Sequence, residues 1–199
     1  VKLLLDAGAD VNACTSSEAT PMHIAACSNS GDIIRLLVAA GGDARNNTAY
    51  KGACVAACLL APWVAVSNTW HFRAAAASAN HILPPAGTAA VPAGETPLTC
   101  AAYCGHYDAV KALVEAGHAD VNMTRQDGTT PLNLAAYADA KTALLLLAHG
   151  AHPDGCTSKS SPFPVPLVMS AARGDVELCA RLIEVRRQAR TLLLPQGVL

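Results

Sequence analysis

The chain has 199 residues, of which 52% are hydrophobic and only 4% aromatic, and its formal net charge is −1. That supplies a sizeable core of Ala, Leu and Val, residues that suit close-packed helices. A near-neutral balance with no basic stripe and no interleaved aromatics argues against nucleic-acid or anionic-membrane partners.

The chain opens at Val1 inside an apolar run, as a fragment would. Leu3, Leu4 and Leu5 read as the end of a second helix whose first helix is missing, and Ala7-Gly-Ala-Asp-Val-Asn12 follows. Residues 1–13 are therefore a truncated unit: a second helix and its turn. In Thr20-Pro-Met-His-Ile-Ala-Ala26, Thr is an N-cap and Pro sits at N1, where its missing N–H costs nothing. The paired alanines let another helix approach closely. Ile33, Ile34, Leu36 and Leu37 make the apolar stripe of a second helix, closed by Ala40-Gly-Gly-Asp43. Residues 14–52 hold this unit and the start of the next loop.

The next Thr-Pro comes late, because Thr20 and Thr96 stand more than twice as far apart as Thr96 and Thr130. Removing Ala53–Gly94 makes the two spacings equal. Lys51-Gly52 then joins Glu95-Thr96-Pro97, matching Asp127-Gly128-Thr129-Thr130-Pro131. Residues 53–94 can be a long loop, where insertions cost little, a translated intron, or an eroded unit. With low complexity and no motif in register, a loop or spurious insertion fits better than an eroded unit. Ala53–Gly94 is expected to be absent from the main mature product. Its apolar run Ala53–Val66, broken by Pro62, is shorter than the roughly 20 residues of a membrane span.

Thr96-Pro-Leu-Thr-Cys-Ala-Ala102 and Thr130-Pro-Leu-Asn-Leu-Ala-Ala136 repeat the first motif, and Val165-Pro-Leu-Val-Met-Ser-Ala171 is a weaker copy. Ala116-Gly-His-Ala-Asp-Val-Asn122 and Gly150-Ala-His-Pro-Asp154 repeat the second. The step from Gly8 to Gly41 equals that from Gly117 to Gly150, so two linked motifs share one period. Gly105 and Gly174 are placed to end first helices in a left-handed residue, and Gly41, Gly117 and Gly150 to end second helices. Val110, Leu113 and Val114 carry the next stripe. Each unit is helix, tight turn, helix and projecting loop, in residues 95–122, 123–154 and, more divergent, 155–185. Pro162, Pro164 and Pro166 force extended backbone before the last pair. In the divergent tail, 186–199, the final helix is expected to run on until Pro195, with Arg186, Arg187 and Arg190 near its cation-favouring end.

The Thr-Pro-Leu-His, Gly-His and Ala-Gly-Ala-Asp-Val-Asn signatures resemble the ankyrin repeat, over residues 1–50 and about 95–185. The resemblance implies an all-α, ankyrin-repeat solenoid of stacked helix-turn-helix units with short β-hairpin-like loops. The loops would pair as fingers along one edge, and the first helices would line a concave face. His23 keeps the family's histidine, which hydrogen-bonds back near the Thr. Thr99, Asn133 and Val168 replace it, so those helices are expected to start less rigidly, and Val168 cannot make the bond.

Eight cysteines, Cys14, Cys27, Cys54, Cys58, Cys100, Cys104, Cys156 and Cys179, read as reduced, small, buried side chains of an intracellular protein. Cys100 and Cys104 with His106, and His149 with His152, lack the four ligands of a zinc site. No Gly-x-Ser-x-Gly elbow and no phosphate-binding Gly-rich loop occurs. Catalytic residues, metal ligands and cofactors are therefore expected to be none. Asn46-Asn-Thr48 and Asn122-Met-Thr124 read as chance matches to a glycosylation pattern.

What remains is surface. By register with the family, partner contacts fall on fingertip residues Ser16, Ser17, Ala19, Gln126, Asp127 and Thr129. On the first helices they fall on Cys27, Ser28, Tyr103, Cys104, Tyr137, Ala138, Ala172 and Arg173. Tyr103 and Tyr137 hold equivalent places in successive units and are suited to anchor a partner. The expectation is a monomeric, cytoplasmic or nuclear module that binds another protein and performs no chemistry. The alternative is the targeting portion of a larger enzyme or channel.

Overall fold

The structure, a computed structural model, describes residues 1–15, 19–45, 95–155 and 165–193. Among these residues there are nine helices and no strand. They are α1 (Lys2–Asp6), α2 (Pro21–Cys27), α3 (Gly31–Ala39), α4 (Pro97–Tyr103), α5 (Tyr107–Glu115), α6 (Pro131–Ala138), α7 (Ala140–Ala148), α8 (Pro166–Arg173) and α9 (Val176–Leu193). Four hairpins, α2/α3, α4/α5, α6/α7 and α8/α9, stand in file. The first helices contact one another in the order α2, α4, α6, α8, and the second helices in the order α3, α5, α7, α9. Expectations placed on residues 53–94, on Pro162 and Pro164, and on the chain after 193 lie outside the described residues.

Three threonine caps start the first helices. Thr20, Thr96 and Thr130 each accept a hydrogen bond from the backbone N–H three residues on, with Pro at N1. The return bond is made by His23, but equally by Thr99 and Asn133. Thr96 N–H donates to Thr99 Oγ1 at 2.9 Å and Thr130 N–H to Asn133 Oδ1 at 3.4 Å. The expected loosening at Thr99 and Asn133 is thus corrected, because any short acceptor at this position closes the box. Val165 provides no such cap to α8. Thr130→Ala is expected to cost about 0.5–2 kcal/mol, read as a lower urea midpoint with an unchanged slope.

The alanine pairs do as their size suggests. Ala25, Ala26, Ala101, Ala102, Ala135 and Ala136 are all buried where first helices meet. Ile34, Leu37, Val110, Leu113, Leu146, Leu147, Leu178 and Leu182 fill the core from the second helices. Leu36 lies off this stripe and is exposed, since its angle on the helix points it away from both neighbours.

Left-handed residues end the helices, with two departures. Gly105, Gly174, Gly41 and Gly150 have positive φ as expected, and Asn29 takes the role after α2. At the end of α5 it is His118, not Gly117, that has positive φ. One extra residue in Ala116–Asp120 moves the turn along by one place. Gly117 is needed for a different reason: a Cβ there would lie 2.8 Å from Ala44 Cβ and 2.8 Å from the Leu113 carbonyl. After α6, Asp139 does without glycine, adopting extended backbone and capping α7 through Thr142 N–H at 2.9 Å.

Asparagine in the Asp-Val-Asn motif links units, a role beyond the turn read from sequence. Asn12 Oδ1 accepts from Asp43 N–H, and Asn122 Oδ1 from His152 N–H, both at 2.9 Å. Their amide groups donate to the carbonyls of Gly41 and Gly150. Helix α1 has no buried residue, and the segment after it is tied to the stack by Asn12 and by Val11, which packs against the core. Helix α9 is described through Leu193.

Candidate functional site

The C-terminal turns of the first helices bring four expected pairs into one row: Cys27/Ser28, Tyr103/Cys104, Tyr137/Ala138 and Ala172/Arg173. Equivalent register on neighbouring helices stacks the two tyrosine rings, with centroids 6.5 Å apart and planes 19° apart. Both rings are half-buried, each with part of its surface open to solvent. Burial, then the neighbouring Tyr137 and Cys104, push the Tyr103 phenol up to about 12, so its hydroxyl keeps its proton. Burial raises Tyr137 too, and Arg173 pulls it partly back.

Arg173 turns out to be committed. Its guanidinium donates to the carbonyls of Tyr137 and, at 3.2 Å, Ala138, and pairs with Asp175 at 3.0 Å. It thereby satisfies carbonyls at the end of α6, the helix that lacks a glycine stop. Ser28 is exposed, but its hydroxyl donates to the Ile24 carbonyl.

The fingers give a mixed result. Gln126 is exposed and Asp127 half-buried. Thr129, expected at the fingertip, is 0% exposed. Gly128 N–H donates to Arg125 O, Arg125 N–H to Thr129 O, and Thr129 N–H to Asp127 Oδ1. This tight turn folds Thr129 back against the stack, so its side chain cannot meet a partner. Ala19 is buried for the same reason, its carbonyl accepting from Thr15 N–H. Ser16 and Ser17 lie outside the described residues.

Under the finger is a feature that the sequence did not reveal. Arg125 and Glu95 form an ion pair at 2.8 Å, with side chains only 4% and 2% exposed. Cys100 donates its thiol hydrogen to Glu95 Oε2 at 3.1 Å. Burial pushes the Glu95 carboxyl above its ordinary value; Arg125 and the Cys100 thiol pull it down, and Asp127 pushes it up. Arg125 also lowers the Tyr103 phenol and Glu95 raises it, both less than burial does. The available signal was two opposite charges at the ends of loops, each shortly before a Thr-Pro. Without cross-unit geometry, both read as solvated.

Cys100 and Cys104 do not converge with His106, because Cys100 serves Glu95 and His106 Nδ1 donates to the Ala26 carbonyl at 3.1 Å. His149 and His152 are exposed. Among the described residues no three His, Cys, Asp or Glu gather as metal ligands, and no helix is long and apolar enough to cross a membrane. Cys14, Cys100, Cys104 and Cys179 are free thiols, with Cys14 exposed. Cys27 departs from the expected reduced state, being disulfide-bonded. Proximity decides whether two thiols join, and sequence without geometry does not show it.

A family model described as ankyrin repeats (3 copies) matches residues 71–155, and a single ankyrin repeat model matches residues 17–49. The longer match starts within the stretch 53–94. No curated protein matches the chain.

Proposed function

The chain belongs to the ankyrin repeat family, and on that premise we propose that it is a non-catalytic binding module that captures another protein through the first-helix row and the Gln126 finger. Ankyrin repeats are in general protein–protein interaction modules. The observation that carries the reading here is the stacked pair Tyr103 and Tyr137, half-exposed on a rigid row in a chain otherwise poor in aromatics. Two stiff rings with protonated hydroxyls offer apolar area at small entropic cost. Cys104 and Ala138 follow them in sequence, while the finger offers exposed Gln126 and half-buried Asp127. Replacing both tyrosines by alanine is expected to weaken partner capture about tenfold or more, with helical circular dichroism near that of the parent. Undiminished capture by the double variant would remove the anchor role.

We further propose that residues 53–94 interrupt a finger without contributing to binding. Support comes from the flanking units, which meet in ordinary register, α2 against α4 and α3 against α5. Deleting 53–94 is expected to leave capture unchanged. Sequencing the transcript across Lys51–Glu95 tests whether the segment reaches the dominant product. Uninterrupted coding of the whole segment there would rule out its removal before translation.

A further inference from the structure

One joint in the stack differs from the others in chemistry. His23 is 0% exposed, and its Nε2 donates to the Glu95 carbonyl of the next unit at 3.2 Å. Its Nδ1 accepts from the Thr20 backbone N–H at 3.3 Å and lies 2.8 Å from Thr20 Oγ1. Across the same joint, in the opposite direction, His106 Nδ1 donates to the Ala26 carbonyl at 3.1 Å. Asn29 Oδ1 accepts from Ala109 N–H at 3.2 Å between them. The equivalent places in the other units hold no histidine: Thr99, Asn133 and Val168 for His23, and Ser30, Ala140 and Asp175 for His106. The other described histidines, His118, His149 and His152, are exposed near the ends of second helices.

We propose that this joint is an acid-sensitive release point, at which protonation of His23 and His106 loosens the α2/α3 unit from the rest of the stack. A second proton on His23 must go to Nδ1, where two Thr20 donors already point. It would break the return bond from Thr20 N–H, turn the Thr20 hydroxyl from donor to acceptor, and place a charge in the joint. A second proton on His106 goes to Nε2 of a partly buried ring. Of the described carboxylates of these units, Asp139 accepts from Thr142 N–H and Oγ1 and is committed to capping α7. Glu95 is held by Arg125, and Asp127 belongs to the finger turn. Asp32, paired with Arg35, and Asp108 are exposed on the second-helix side.

Burial lowers both histidines from their ordinary value of 6.5, against the raising effect of their backbone bonds. Above 6.5 neither the folded nor the unfolded chain holds the extra protons, and the joint is at full strength. Below 6.5 the unfolded chain takes up protons that the joint refuses, so stability is lost as pH falls toward the lowered folded values. Glu95 has the opposite sign. Its raised folded value makes acid favourable from the upper carboxyl range downward, so it cannot be the source of a loss.

Hydrogen exchange of the full chain at pH 7.4 and 5.5, corrected for intrinsic rates, tests the proposal. Acid is expected to lower protection of amides in α2 and α3 by about tenfold or more, roughly the effect of 1.4 kcal/mol. Protection in α6 and α7 should hold. The double variant His23→Thr and His106→Gln should lose this acid response, Thr being what the next unit uses at that place. If the double variant is poorly helical at pH 7.4, the single variants carry the test, and each must reduce the response. Uniform loss across all four hairpins, no loss, or a loss that survives both substitutions would overturn the proposal.

Discussion

Leu113→Ala is expected to lower the free energy of unfolding by about 2–5 kcal/mol, one of the largest effects available to a single apolar truncation in this chain. Leu113 is 0% exposed and belongs to the main core cluster. It sits on α5, which packs on both α3 and α7. Truncation removes transfer energy and also leaves a cavity, and the cost depends on how far the walls can close. Here closure is restricted. Gly117 already brings the end of α5 so near to Ala44 that a single added Cβ would overlap it, and Ala109 and Ala112 carry only methyl groups, with no rotamer that could swing inward. In a linear stack each hairpin is stabilised mainly by its neighbours, so a defect in α5 weakens two interfaces together. Guanidinium unfolding monitored by circular dichroism measures it. A curve superimposable on the parent would mean that Leu113 does not fill the core.

How much of this can be read from residues alone depends on whether the cause is local. Thr-Pro and paired alanines act within one helix start, and Leu113, Val110 and Ile34 follow helical period, so both are legible. Gly105 and Gly174 are likewise visible as left-handed stops. Across units the reading fails for a physical reason: a single sequence gives spacing but not the direction of a side chain on a neighbouring loop. Thr129 has a loop register that predicts the fingertip, yet the Arg125–Gly128 turn buries it. Arg173 reads as a free cation and instead caps the carbonyls of Tyr137 and Ala138. The tyrosine stack lies between these extremes. Equal register predicts adjacency, and only coordinates give the 6.5 Å separation.

Arg125→Ala is expected to cost about 3–5 kcal/mol at neutral pH, more than its removal from a solvated loop would. The reason is what it leaves behind. Glu95 stays 1% exposed with a carboxylate whose remaining side-chain partner among the described residues is the Cys100 thiol. Water cannot replace the guanidinium cheaply in so closed a site, and Arg125 Nε already lacks an acceptor among the described residues, so the pair is a compromise between desolvation and attraction. The paired replacement Glu95→Leu with Arg125→Met should therefore cost far less than the single change, since apolar pairs often equal buried ion pairs in stability. The pH dependence separates this account from simple loss of packing. Removing Arg125 raises the folded Glu95 value further above the unfolded 4.5. A raised carboxyl contributes stability below the unfolded value and loses it as pH rises through the folded one. The deficit of Arg125→Ala should thus shrink as pH falls toward 4.5 and be largest at neutral pH. Urea unfolding at pH 7.5 and 5.0 reads this directly: a deficit equal at both would assign the loss to packing rather than to the stranded charge.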